Sequence, residues 1–304
     1  MKLSTKTLTY MFLIMSTMAF EMKNHKLSQS CMMYFLIQSM GSIIFLCMIL
    51  MKKYTEIMES NMIYSMIMMS MAIKLGLPPF HMWMPQMMEK IKWNMCMMLM
   101  TWQKLAPMYI MSLVSQEKLT QILVVISMAT GSIMAINQTS LRKIMAYSTM
   151  THMSWMILSM KVSDKMWMSY FVMYSILVLM TTIYFKKMNI IFISQTSVSS
   201  LKLIEKINFV MIMLSMGGLP PFLGFIPKWM IINEMIQSKD MFLMTFMFVM
   251  NLITLFYYIR VCMNVNMFLS QTQKWVNYKN TYLSKYMIIT NMILAPIILT
   301  MSFF

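Results

Sequence analysis

Long uncharged apolar runs dominate this sequence. Two of them, residues 7–20 and 27–51, contain 14 and 25 residues without a Lys, Arg, Asp or Glu. A helix needs about 20 mostly apolar residues to cross the ~30 Å hydrocarbon layer of a membrane. The runs are continuous and lack the alternation of apolar and polar residues that is typical of barrel strands. The sequence therefore predicts an all-α polytopic membrane protein.

The composition excludes a water-soluble globule. Of the 304 residues, 59% are hydrophobic and 11% are charged, and the mean hydropathy is +0.65, whereas soluble proteins are about one quarter charged. The net charge of +16 does not indicate a nucleic-acid partner, because the basic residues lie mostly at the ends of the apolar runs. The 52 methionines are interpreted as flexible apolar filler.

The cysteines do not follow a metal-binding pattern. Cys31, Cys47, Cys96 and Cys262 lie in separate apolar segments without a Cys-x-x-Cys pair, so they predict neither a zinc site nor an iron–sulfur cluster. The sequence also contains no phosphate loop or dinucleotide fingerprint, and its first apolar run lacks a signal-peptide cleavage site. We therefore expect no metal and no cofactor in this chain.

Ten apolar segments are predicted to cross the membrane. They comprise residues 7–20, 27–51, 60–88, 93–116, 119–141, 144–160, 166–185, 207–237, 241–259 and 286–304. If all ten cross, eight basic residues fall on the side of the amino terminus and fourteen on the opposite side. Because basic residues concentrate on the inner side of a membrane, both termini are predicted to face outward.

Three lysines lie inside predicted spans rather than at their ends. They are Lys74, Lys104 and Lys228. An ammonium at the centre of a span costs ~2.5 to 3.5 kcal/mol on insertion scales, so an interior lysine usually faces a hydrated cavity, a partner charge or a transport path. Burial disfavours the charged form and nearby charges modify that preference, so such a group can take up and release protons. These lysines are the leading candidates for functional residues.

The pentapeptide GLPPF occurs twice, at residues 76–80 and 218–222. Proline lacks an amide hydrogen and disfavours helix at the preceding residue, so each Pro-Pro pair is expected to break its span in two. The predicted helix-breaking residues are Gly76, Pro78, Pro79, Gly218, Pro220 and Pro221. Broken helices in matching positions of two halves are typical of ion or substrate paths in transporters.

The two pentapeptides lie in the third and eighth predicted spans, so the two broken helices would cross in opposite directions. This spacing predicts two inverted five-helix repeats with one broken helix in each. Residues 1–117 would form the first unit and residues 118–264 the second apart from its terminal helix. Residues 265–304 would supply a connecting loop and the C-terminal helix.

Four segments carry a family resemblance: AIKLGLPPFHMWMPQ at 72–86, TWQKLAPMY at 101–109, NQTSLRKIMAYSTMTHMSWM at 137–156 and LSMGGLPPFLGFIPKWMI at 214–231. In this order they resemble the subunit 2 family of mitochondrial NADH dehydrogenase, an antiporter-like family of respiratory complex I. The resemblance runs from about Tyr34 to the end of the ninth predicted span. The methionine content is similar to that of proteins encoded by invertebrate mitochondrial genomes.

This resemblance implies a subunit of the proton-translocating NADH:ubiquinone reductase, without a redox centre of its own. NADH, FMN, iron–sulfur clusters and ubiquinone would bind elsewhere in the complex. The partners would be the other core and accessory subunits, membrane lipids and protons, in the mitochondrial inner membrane with both termini on the intermembrane-space side. The relay lysines of the family fall on Lys74, Lys104 and Lys228.

Three other titratable residues could take part. Histidine ordinarily titrates near neutral pH, so His152 in the sixth span could join the relay or simply pack between helices. His81 follows the first break and could pass a proton or bond the carbonyls that the Pro-Pro pair frees. Glu234 lies six residues after Lys228, too far for a pair along one helix, and could exchange charge with a neighbouring subunit.

The sequence departs from the family near its amino end. Relatives carry a glutamate inside the helix before the segment around Tyr34, where it pairs with the lysine of the first broken helix. Here residues 7–20 contain no acid and Glu21 lies at the edge of the span. Either the glutamate is lost, Glu21 replaces it, or an adjacent subunit supplies it. A membrane-arm spacer that has lost transport is therefore an open alternative. A free-standing cation/proton antiporter is a second alternative, because related antiporters share the broken helices and the lysines.

Overall fold

A computed structural model describes residues 25–54, 60–198, 203–220 and 222–266. The predicted spans 7–20 and 286–304, as well as Glu21 and Pro221, lie outside these residues. Within the described ranges the chain is helical and contains no β-strand. The helices are α1 His25–Tyr54, α2 Ser60–Leu75, α3 Trp83–Lys90, α4 Trp93–Met100, α5 Trp102–Val114, α6 Glu117–Ile136, α7 Leu141–Met160, α8 Asp164–Met188, α9 Ile193–Val198, α10 Leu203–Gly217, α11 Phe225–Gln237 and α12 Met241–Asn266.

Four stretches of these helices are long and apolar enough to cross a membrane. They are Leu27–Lys52, Glu117–Ile136, Asp164–Met188 and Met241–Val265. Their outward faces carry exposed apolar side chains, such as Leu36 and Met40 on α1 and Leu252 and Phe256 on α12, which suit a lipid surround rather than water. The helical membrane architecture is confirmed, whereas the count of ten spans stays a prediction.

Helix α7 forms the centre of the bundle. It packs against α3, α4, α5, α6, α8 and α11, and every side chain from Ile144 to Met160 is buried. Its hydroxyl groups donate to carbonyls one turn earlier in the same helix, for example from Ser148 to Met145 at 2.8 Å and from Thr151 to Ser148 at 2.8 Å. Because these groups are satisfied within the helix, a polar helix can occupy the centre and carry His152 there.

Both GLPPF segments interrupt helices, as the sequence predicts. Helix α2 ends one residue before Gly76 and helix α10 ends one residue before Gly218, and these two glycines have φ values of +68° and +77°. At each end the glycine amide donates to the carbonyl three residues back and the following leucine amide to the carbonyl five residues back. This bonding pattern is a Schellman cap, in which the left-handed residue is usually glycine. The glycines therefore stop the first half of each broken helix before the prolines are reached.

A third interruption was not predicted. The segment 93–116, expected as one span, forms the two helices α4 and α5, which meet at Thr101. The amide and the hydroxyl of Thr101 both donate to the Met97 carbonyl, at 3.1 and 2.8 Å. The Lys104 amide donates to Thr101 at 3.2 Å, three residues back instead of four, which interrupts the regular α-helical ladder. This places Lys104 in the first turn of a helix that begins inside an apolar segment.

Polar contacts join the ends of the helices. Lys143 forms an ion pair with Glu89 at 2.7 Å, and Arg142 donates to the Glu89 carbonyl at 3.0 Å. Arg260, near the end of α12, donates to the carbonyls of Ile136, the last residue of α6, and Gln138, two residues later. These three basic residues belong to the fourteen that the sequence places on one side, and they tie α3, α6, α7 and α12 together at one end of the bundle.

Candidate functional site

The three lysines predicted to lie in the membrane are buried. The exposed fractions of Lys74, Lys104 and Lys228 are 7%, 2% and 5%, and that of His152 is 3%. None of the lysine ammonium groups reaches the exposed surface in the manner expected of a lysine near a helix end. Each lysine also lies within eleven residues of a helix interruption. The structure thus places all three lysines in the protein interior, beside irregular backbone.

Lys228 on α11 folds back onto the second break. Its Nζ donates to the Gly217 carbonyl at 2.9 Å and to Asn251 Oδ1 on α12 at 2.7 Å. Gly217 is the last residue of α10, where the partial negative charge of the helix dipole stabilises a cation. A Cβ atom on Gly218 would lie 2.8 Å from the Lys228 Nζ. Glycine therefore serves this site both through its positive φ and through the space that it leaves for the ammonium.

The partner Asn251 was missed from the sequence. Its signal is the single amide side chain in the stretch 241–256, whose other residues are apolar apart from Thr245 and Thr254, since a polar group in such a segment needs a partner. We expect Asn251→Leu to lower the free energy of unfolding by about 1.5 to 3 kcal/mol, because a buried ammonium loses an acceptor. Heat- or detergent-induced unfolding of the purified complex measures this change. The exposed Asn233 on α11 is the matched control, and an equal loss in Asn233→Leu would contradict the assignment.

Lys104 on α5 contacts α8. Its Nζ donates to the Tyr174 hydroxyl at 3.1 Å and lies 5.1 Å from the centre of the tyrosine ring. The Tyr174 hydroxyl in turn donates to the Met100 carbonyl at 3.2 Å. The ammonium is thus held by a neutral oxygen and a ring face, an arrangement that stabilises a cation less than a carboxylate would.

His152 on α7 is buried close enough to Lys104 and Lys228 for its charge to interact with both. Its Nδ1 is 3.1 Å from the Tyr170 hydroxyl, and its ring centre is 5.2 Å from that of Tyr174. One histidine therefore connects the surroundings of two buried lysines that are 124 residues apart in the chain.

Lys74 on α2 is separate from this group. Its aliphatic stem packs against Gly41 of α1, where a Cβ atom would lie 2.9 Å from the Lys74 Cγ. Its Nζ lies 5.6 Å from the centre of the Phe45 ring. Within residues 25–54, 60–198, 203–220 and 222–266, no hydrogen bond or ion pair reaches this ammonium. The candidate partner Glu21 lies outside those ranges.

His81 does not bond the freed carbonyls, so that expectation is wrong. Proline at 78 removes the amide that would pair with the Lys74 carbonyl, and Gln38 of α1 donates its side-chain amide there instead, at 3.0 Å. The His81 ring is buried, and in the described part of the chain neither of its nitrogens has a hydrogen-bond partner.

Glu234 is not a polar partner of Lys228. It lies partly exposed near the end of α11, in a polar cavity of about 450 Å³. Glu117, Lys161 and Asp240 also line this cavity, and Lys161 pairs with Asp240 at 3.6 Å. The described residues contain no group of three His, Cys, Asp or Glu side chains placed to hold a metal ion.

Broken helices and interior basic residues in an apolar bundle define a class, the helical membrane proteins that handle ions. The family described as NADH:quinone oxidoreductase/Mrp antiporter, transmembrane, matches residues 6–254. NADH-ubiquinone oxidoreductase chain 2 of Locusta migratoria is 39% identical over 259 residues, which cover 84% of this chain and 76% of the relative. The Bos taurus protein of the same name is 36% identical over 79% of this chain and 73% of its own length. The chain belongs to this family, which confirms the resemblance seen in the sequence.

Solved structures share the fold. A chain of respiratory complex I from Thermus thermophilus with bound aureothin has a TM-score of 0.77 at 17% identity, covering 90% of this chain and 67% of that one. A chain of the archaeal membrane-bound sulfane sulfur reductase has a TM-score of 0.76 at 14% identity, covering 92% and 65%. The fold therefore recurs in different membrane complexes.

Proposed function

We propose that this chain is a proton-translocating subunit in the membrane arm of respiratory complex I, located in the mitochondrial inner membrane. The relatives named NADH-ubiquinone oxidoreductase chain 2 support the assembly. The observation that carries the transport role is the buried group formed by Lys104, His152 and Lys228, whose polar partners are hydroxyl, amide and carbonyl groups. The chain would be part of an oxidoreductase whose NADH, FMN, iron–sulfur clusters and ubiquinone bind in other subunits.

The electrostatic arrangement gives a physical reason why proton uptake at one group is coupled to proton release from another. Two like charges close together in a low-dielectric interior repel each other strongly. A proton that arrives at His152 therefore favours loss of a proton from Lys104 or Lys228, since the imidazole interacts with both. Because neither ammonium is paired with a carboxylate in the described part of the chain, each can lose its proton without leaving a buried anion behind. Lys74 would be the third member, connected to the others through water.

The wider organisation is part of the same proposal. Residues 1–117 and 118–264 would form two inverted units with a broken helix each, and residues 265–304 the terminal helix. The two Schellman-capped breaks support a matched pair of broken helices. Both termini would face the intermembrane space, and the other core and accessory subunits, together with lipids, would surround the chain.

The Lys228→Met complex tests the proposal. Methionine keeps a long side chain but cannot carry a proton, so we expect severalfold lower NADH-driven proton pumping in liposomes, with NADH oxidation and assembly retained. Lys187→Met, at an exposed position at the end of α8, is the matched control and should pump normally. Normal pumping by Lys228→Met would instead favour a structural spacer. Isolation of the chain without flavin and iron–sulfur subunits, combined with transport in vesicles, would favour a free-standing antiporter.

A further inference from the structure

The interruption between α4 and α5 frees one backbone carbonyl beside Lys104. In an unbroken helix the Met100 carbonyl would accept the amide hydrogen of Lys104, four residues later. That amide donates instead to Thr101. The Met100 carbonyl accepts a hydrogen bond from the Tyr174 hydroxyl at 3.2 Å. A carbonyl released by the break in one helix is therefore satisfied by a side chain from another helix.

The Tyr174 hydroxyl has two partners at once. Its oxygen accepts from the Lys104 Nζ at 3.1 Å while its hydrogen is donated to Met100. Tyr174 and Lys104 are only 1% and 2% exposed, so bulk water does not compete for either bond. A charged lysine ammonium can only donate hydrogen bonds, whereas a neutral amine has a lone pair and can also accept one.

We propose that Tyr174 responds to the protonation state of Lys104 by changing the group to which its hydroxyl donates. When Lys104 is charged, the hydroxyl accepts from Nζ and donates to Met100, as the distances indicate. When Lys104 is neutral, the hydroxyl rotates and donates to the Nζ lone pair, and the Met100 carbonyl loses its partner. The tyrosine keeps its proton in both states. Tyr174 is thus a positioning residue that couples the proton on Lys104 to the helix interruption at Thr101.

The consequence is that the Lys104 nitrogen keeps a hydrogen-bond partner in both of its protonation states, whereas the Met100 carbonyl has its partner only while Lys104 is charged. The inference rests on the proposed function, because it requires Lys104 to change its protonation state during turnover. Several titratable groups lie on α8, α7, α2 and α4, which surround Lys104. They are Tyr174, Tyr170, His152, Lys74 and Cys96.

The test is Tyr174→Phe in the assembled complex, reconstituted in liposomes and assayed for NADH-driven proton pumping across a range of pH. The ring and its packing remain, so we expect assembly with severalfold weaker pumping. Both protonation states of Lys104 lose a hydrogen bond to the hydroxyl, and the bond made by the charged ammonium is the stronger of the two. The neutral state is therefore favoured, and the alkaline limb of the pH profile should move to lower pH by about one unit. Tyr184→Phe is the matched control, since its hydroxyl lies on the same helix but donates to the Glu205 carbonyl at 2.8 Å, and its profile should stay native.

The outcomes separate this inference from the proposed function. A native pH profile and native pumping in Tyr174→Phe, combined with lost pumping in Lys104→Ala, would overturn the inference alone. Normal pumping in both variants would overturn the proposed function as well. If the phenylalanine complex does not assemble, Tyr174→Met replaces it, because its flexible side chain can adapt to the same space. A thioether cannot donate to Met100 and is only a weak acceptor for Lys104, so the same acid shift is expected and a native profile would refute the inference.

Discussion

Alanine in place of Lys104 is expected to abolish proton pumping through this chain while the complex still assembles. Lys104 is buried and contacts Tyr174 at 3.1 Å, so its removal takes away a proton carrier that water cannot simply replace. Removal of the whole charged group also removes its desolvation penalty, which is why folding should survive. The measurement is the ratio of protons pumped to NADH oxidised in liposomes, with the level of assembled complex determined in parallel.

Two controls define the meaning of that result. Lys186→Ala removes an exposed lysine at the end of α8 and should leave the ratio unchanged. Lys104→Arg keeps a positive charge that does not dissociate near neutral pH, so it should assemble but not pump. Pumping by the arginine complex would mean that the charge alone is needed, and that Lys104 does not carry a transported proton.

Gly224→Ala is expected to prevent the second broken helix from folding. Gly224 precedes α11 and has an ordinary φ of −69°, so its backbone conformation does not require glycine. The space around it does, because a Cβ atom would overlap the Ser215 carbonyl oxygen of α10. Backbone cannot move aside as a flexible side chain can, so we expect a loss of more than about 3 kcal/mol in the free energy of unfolding.

The level of assembled complex in the membrane measures this effect. Any complex that does assemble should pump protons less well in liposomes, because Lys228 lies on the displaced helix α11. Gly217→Ala is the matched control. A Cβ atom there would meet its nearest neighbour, Tyr258 Cδ2, at an ordinary 3.6 Å, and alanine favours helix over glycine. We expect Gly217→Ala to assemble at the native level. Equal levels of the two variants would refute the claim that the backbone of α10 and α11 must approach closely at Gly224.

Local signals made part of the site predictable. A lysine in an apolar run can be recognised from a few neighbouring residues, because burying its charge in hydrocarbon costs free energy whatever the tertiary fold. The two GLPPF segments are equally local, because proline and glycine act on their own backbone. Lys74, Lys104, Lys228 and both breaks therefore follow from the sequence, and the structure places the three lysines in the interior.

The partners of those residues were not predictable in the same way. Tyr174 lies 70 residues from Lys104, and Asn251 lies 23 residues from Lys228. Neither pair has a spacing that marks it in the chain. The interruption at Thr101 was also missed, because threonine has no strong local breaking effect and the hydroxyl that satisfies the freed Met100 carbonyl comes from Tyr174 on a distant segment.

His81 shows how a local argument can fail. Proximity along the chain suggested that its ring would bond the carbonyls freed by the Pro-Pro pair, but Gln38 from α1 reaches the Lys74 carbonyl instead. An amide on a neighbouring helix had the better approach to that oxygen, and only the packing of α1 against α2 could reveal this.

The sequence alone determined that this protein lies in a membrane, that its three lysines lie inside apolar segments, and where two helices break. Each of these outcomes depends on transfer free energies and backbone chemistry within a few residues. Tertiary structure decided that the His152 ring packs against Tyr174, the partner of Lys104, and that neutral groups hold the ammonium groups of Lys104 and Lys228. Those outcomes depend on which helix faces meet around α7, and hydrogen bonds between distant segments have no signature in the chain until the helices have packed.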